Sequence, residues 1–160
     1  LIDLKTEIAT KINTHSPSRR MAREIALKVA YAHEMRDCDQ EEVLQDRLII
    51  GGDLPPAFAV RLLAHVEEYK EQIDEIIRAK VEKWEFNRIA VLDRIVLRLA
   101  AAELLYFPDV PPKVSINEAI EIAKKFSTEK SGKFVNGILD AIYGDIVRGQ
   151  SINNNGGKNH

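Results

Sequence analysis

L-D-R-I-V-L-R-L-A-A-A-E-L-L-Y, Leu92 through Tyr106, is the stretch on which the architecture turns. Leu92, Ile95, Val96, Leu99, Ala100, Leu104 and Leu105 recur at helical spacing and cover more than one side. That pattern predicts a central helix buried on several faces. It should stop before Pro108, with Pro111 and Pro112 holding the next segment extended. Downstream, Ser115 through Glu118 reads as a capping box. Its helix would run through Ile116, Ala119, Ile120 and Ala123 towards Phe126. Ser131 is the next cap candidate. Val135, Ile138, Leu139, Ile142 and Ile146 then share one side, and Gly149 is placed to end that helix. Residues 150–160, rich in asparagine and glycine, read as a disordered tail.

Upstream of the central stretch, Phe58, Leu62, Val66, Tyr69, Ile73 and Ile76 or Ile77 predict one long helix to about Val81. Trp84 and Phe86 follow at an elbow, where Trp84 is expected in the core. A short helix through Val43, Leu44 and Leu48 precedes the turn marked by Gly51, Gly52, Pro55 and Pro56. Ser16 and Pro17 predict the start of an earlier helix. Its apolar face is Ala22, Ile25, Ala26, Val29 and Ala30, and its signal fades near Arg36 and Asp37. Residues 1–15 carry only a weak helical signal through Ile8 and Ile12 and read as an extension. No strand of useful length competes. The expected fold is all-α, a single-domain helical bundle over 16–149, with short linkers favouring antiparallel packing.

Composition agrees with a globular chain: 160 residues, 45% hydrophobic and 30% charged. No apolar run is long enough for a membrane span. No secretory signal is visible, so a cytoplasmic protein is expected. A lone Cys38 excludes an intrachain disulfide framework. The four histidines, His15, His33, His65 and His160, form no recognised metal spacing with it. There is no nucleophile elbow, phosphate-binding loop or dinucleotide fingerprint. No enzyme activity, cofactor or metal is expected.

The net charge of −2 is unevenly distributed. Residues 16–31 hold Arg19, Arg20, Arg23 and Lys28 against Glu24. Residues 122–136 hold Lys124, Lys125, Lys130 and Lys133 against Glu129. Residues 41–75 carry nine acids and three bases. Arginines clustered at a helix start suit phosphate recognition, because guanidinium forks match phosphate oxygens and helix N-terminal amides add positive potential. In the second basic segment Lys130 and Lys133 flank a helix start, with Phe134 in the first turn. Phe134 is either a core residue or a stacking platform for a base. Gly137 inside that helix implies close packing or the approach of a partner.

Four segments taken together resemble the NusB family of bacterial transcription antitermination factors. They are R-R-M-A-R-E-I-A-L-K-V-A-Y from Arg19, D-R-I-V-L-R-L-A-A-A-E-L from Asp93, V-P-P-K-V-S-I-N-E-A-I-E-I-A-K-K-F from Val110, and K-F-V-N-G-I-L-D from Lys133. The resemblance implies an all-helical RNA-binding adaptor. Its partners would be boxA RNA, ribosomal protein S10 (NusE) and the RNA polymerase antitermination complex. By the family pattern Arg19, Arg20 and Arg23 match the arginine-rich motif, and Lys133 and Phe134 match the K-F of a second RNA-contacting region. Lys130 is basic at a more variable spot beside them. Ala102 stands where the pattern has tyrosine before E-L, a departure that bears on packing. The resemblance places an S10 surface near Trp84 and the start of the following helix. The two basic segments are expected to share one surface region. Two rival readings stay open: an accessory domain of an RNA cytosine methyltransferase, and an interaction bundle without RNA binding. Apolar residues on two sides of a helix would also serve a homodimer.

Overall fold

The computed structural model describes residues 18–81 and 86–156, with side chains described as far as residue 149. Ser16, Pro17, Trp84 and residues 1–15 lie outside the described residues, as do residues 157–160. Among the described residues there are eight α-helices, one 3-10 turn and no strand. Their contacts sort them into two compact units that divide between Glu68 and Tyr69.

In the first unit, α1 spans Arg19–Arg36, α2 Gln40–Leu44, α3 Arg47–Ile50 and α4 Ala57–Glu68. The helix start falls at Ser18 rather than Ser16: the Ser18 hydroxyl accepts the Met21 N–H at 3.2 Å. One orphan amide of the first turn is thereby satisfied. Asp37, with φ 49°, closes α1 in the left-handed region. Ala22, Ile25, Ala26, Leu27, Val29 and Ala32 are buried along α1. Ala59, Leu62, Leu63 and Val66 are their counterparts on α4, and the two helices pack together. The short helix expected through Leu48 is two helices. Asp46 caps the second through Leu48 N–H at 3.0 Å. The break leaves Val43 buried and Leu48 at the surface. Gly51, at φ 71°, ends α3 in a conformation that glycine adopts without a steric penalty.

In the second unit, α5 spans Lys70–Lys80, the 3-10 turn Phe86–Arg88, α6 Val91–Tyr106, α7 Pro112–Phe126 and α8 Glu129–Gly156. The long helix expected from Phe58 to Val81 is interrupted at Tyr69, whose φ of −109° and ψ of 22° leave helical geometry. The apolar spacing runs across this lapse of one residue and does not register it. α6 is the central helix and packs on α5, α7 and α8. Ile95, Val96, Leu97, Leu99, Ala100, Ala101 and Ala102 are all buried on it, which accounts for its near-continuous apolar character. Ala102 sits wholly inside the fold, where its side chain acts on packing. Phe86 is buried at the elbow.

The starts of α7 and α8 differ from the expected caps. Pro111 is extended, but Pro112 is the first residue of α7, where a proline lacks only an amide that would be orphaned anyway. Ser115 is therefore buried inside α7, and its hydroxyl donates to Glu103 Oε1 at 3.1 Å. Thr128, not Ser131, caps α8: its Oγ1 accepts the Ser131 N–H at 3.1 Å. Gly149 does not adopt the left-handed conformation that would end α8, and the helical backbone continues to Gly156. The expected tail boundary at residue 150 thus falls inside a helix.

Candidate nucleic-acid interface

The arginine-rich segment opens α1. Arg19 and Arg20 are exposed in its first turn, next to the capped helix start. Arg23 is different, being only 4% exposed. It lies one turn on from Arg19, on the inward side of α1. Its guanidinium sits 5.1 Å from the centre of the Phe58 ring, and that of Arg19 sits 5.0 Å from the same ring. Both distances are within cation–π range. Phe58, near the start of α4, thus holds two arginines of the segment. Arg23 offers little surface to a ligand, and its role in the geometry is to be fixed in place. Arg19 and Arg20 remain as the exposed pair.

Sequence reasoning gave Phe58 only an apolar helix position. Its partnership with the arginines depends on α1 packing against α4, and no spacing within either helix encodes that.

The lysine segment lies in the second unit, at the junction of α7 and α8. Lys130 and Lys133 are exposed and Phe134 is half-buried. The next residue, Val135, is fully buried and anchors the turn. A hydroxyl network fixes this junction. The Ser131 Oγ donates to Asp93 Oδ2 at 3.0 Å. With that proton committed, the hydroxyls of Ser127 and Thr128, at 2.9 and 3.1 Å, donate to the Ser131 oxygen. Asp93 is buried on the first turn of α6, so the network ties the start of α8 to the central helix. Ser131, between Lys130 and Lys133, is therefore anchored from below while both lysines face outward. Asp93 and Ser131 were missed as positioning residues because their contact joins two segments far apart in sequence. Gly137 is not explained by close packing, since a Cβ there would meet nothing within 4 Å.

Among the described residues no three histidine, cysteine or acidic side chains gather as a metal site. His33 donates from Nδ1 to the carbonyl of Cys38, and His65 likewise to the carbonyl of Arg61 at 2.8 Å. Both contacts are local in sequence. No helix among the described residues is long and apolar enough to cross a membrane.

Residues 20–144 match the NusB family. The transcription antitermination protein NusB of Salinibacter ruber is 46% identical over 142 residues, which cover 87% of this chain and 89% of that protein. In structure, T. maritima NusB aligns with a TM-score of 0.73 at 45% identity, covering 81% of this chain and 92% of that one. A chain from a crystal structure of antitermination factors NusB and NusE in complex with dsRNA aligns with a TM-score of 0.69 at 30% identity. There the alignment covers 79% of this chain and 96% of that one. The span of the family match, and an identity this high with a relative covered almost end to end, establish that the chain belongs to the NusB family.

Proposed function

We propose that the chain is a transcription antitermination factor. It binds boxA RNA together with ribosomal protein S10 (NusE), and as part of the RNA polymerase antitermination complex it supports ribosomal RNA transcription in the cytoplasm. Its work is recognition rather than bond making. The relatives' names and the solved complex of NusB, NusE and dsRNA support this reading. The observation on this chain that carries it is the exposure of basic side chains at two helix starts whose inner faces are firmly anchored. Arg19 and Arg20 stand over a Phe58-held turn, and Lys130 and Lys133 stand over the Ser131–Asp93 network. Anchored cations lose less conformational freedom on meeting a phosphate. Arg23 contributes by completing the Phe58 contact, and Phe134 offers part of its ring to an unpaired base.

The test measures affinity for single-stranded boxA-like RNA across several salt concentrations, in the presence of S10, with unfolding followed in parallel. Arg20→Ala should lower the slope of log affinity against log salt by about 0.7. Phe134→Ala should cost roughly 1–3 kcal/mol per stacked base and leave the slope nearly unchanged. Unchanged affinity in both folded variants would overturn the RNA-binding reading.

A further inference from the structure

Gly132 sits between Ser131 and Lys133 in the first turn of α8 and is buried. Its backbone is not in the left-handed region, so its φ does not call for glycine. What glycine supplies there is space. A Cβ at this position would lie 2.8 Å from Lys124 Cγ and 3.3 Å from Lys124 Cε. The aliphatic stem of Lys124, from the last turn of α7, therefore lies flat across the bare backbone of residue 132. Buried stem and exposed head are the usual arrangement of a lysine that covers apolar surface while keeping its charge in water.

This laid-down stem distinguishes Lys124 from an ordinary surface lysine. Two of its carbons lie against α8, and that contact narrows the rotamers open to the side chain before any ligand arrives. Its ammonium reaches Glu121 Oε1 only at 3.8 Å, and both side chains are open to solvent. A surface pair of that length is worth little, and a phosphate can replace the carboxylate at small cost. The stem crosses the turn that carries Lys130 and Lys133.

We propose that Lys124 is a third lysine of the α7–α8 junction and takes an RNA backbone phosphate, seated for that contact by the absent side chain of Gly132. The inference rests on the RNA-binding reading above and adds two residues to it, one that binds and one that positions.

A double-mutant cycle on the full chain tests it. Lys124→Ala, Gly132→Ala, the double variant and Arg20→Ala are titrated with single-stranded boxA-like RNA at several salt concentrations, in the presence of S10. Lys124→Ala should lower the salt slope by about 0.7, about fivefold in affinity at 0.1 M salt. Gly132→Ala keeps every charge, yet it forces Lys124 Cγ to move, and should lose affinity because the lysine is displaced. In the Lys124→Ala background the same glycine substitution should change nothing. Thermal unfolding confirms that the variants are folded; should Gly132→Ala fail to fold, Lys124→Ala alone decides through its salt slope. An equal loss from Gly132→Ala with and without Lys124 would overturn the seating role. An unchanged slope in Lys124→Ala, with Arg20→Ala weakened, would overturn the lysine's role and leave RNA binding standing. If neither variant weakens binding, the RNA reading itself fails, and this inference with it.

Discussion

Replacing Asp74 by alanine should be among the most damaging single changes in the second unit. Asp74 on α5 accepts two hydrogen bonds from Arg98 on α6, Nε to Oδ1 at 2.7 Å and Nη2 to Oδ2 at 3.1 Å. This is the parallel fork that arginine makes with a carboxylate. The Asp74 side chain is 9% exposed and that of Arg98 12%. The Arg98 guanidinium also stands 5.5 Å from the centre of the Phe86 ring, which Arg78 approaches to 4.7 Å and Arg94 to 5.8 Å. Three cations around one ring repel each other, and the Asp74 carboxylate offsets that repulsion. Its removal leaves a largely buried guanidinium beside two like charges. Breaking a buried pair in this way costs about 3–5 kcal/mol. The remaining exposure of Arg98 admits some water and puts the expected cost near the lower end, about 3 kcal/mol.

Equilibrium unfolding in urea would show the loss as a lower midpoint with an unchanged slope. The control is Asp74→Leu combined with Arg98→Met, which removes both charges and fills similar space. It should recover most of the loss, because the desolvation of the guanidinium that has lost its carboxylate, rather than the missing attraction, dominates the single variant. A cost below about 1 kcal/mol for Asp74→Ala, or a double variant no better than the single, would refute the reasoning.

Two further outcomes follow from the same unit. Leu139 is fully buried on α8, so Leu139→Ala should destabilise by about 2–5 kcal/mol in the same urea assay, and a change near zero would contradict the packing around α6. Asp145 is held below the usual carboxylate pKa, first by the hydrogen bond from Lys80 and then by that from Arg148. A carboxyl whose pKa is lowered by folding adds stability above its unfolded pKa and loses it as pH falls through the lowered value. Asp145→Asn should therefore show a shallower fall in Tm on acidification than the parent chain, most clearly at low salt because the group is exposed. Parallel acid limbs in the two proteins would remove Asp145 from the account.

Where a helix buries a continuous set of residues, its sequence announced it. The stretch from Leu92 to Tyr106 became α6 because its apolar positions exceed one face, which only a helix surrounded by others can bury. Helix starts were less legible, and the reason is chemical. Serine at a cap and serine inside a helix look alike in sequence, since both satisfy a hydroxyl with a nearby partner. Ser115 found Glu103 and Ser131 found Asp93, each on the neighbouring helix, so neither was needed by its own helix end. Capping fell to Thr128 and to the fixed φ of Pro112.

The candidate site shows the same division between what a local pattern encodes and what packing decides. Arg19, Arg20 and Arg23 form one cluster in the sequence, and charge alone gives them one role. Helical geometry separates them: Arg23 is buried with Ala22 and Ala26, while Arg20 turns outward. An inward arginine would destabilise the fold unless something received its charge, and the face of Phe58 does so. Phe58→Leu therefore separates packing from cation–π support, because leucine keeps an apolar contact and lacks the ring. Amide hydrogen exchange reads the difference: the first turn of α1 should exchange faster in the variant, while the amides of α4 keep their protection. Equal exchange in the first turn of both proteins would show that the ring does not order it. The local consequence is that the order of the arginine-rich turn depends on an aromatic residue from another helix. The placement of Arg19 and Arg23 is accordingly set by α4 as well as by their own segment.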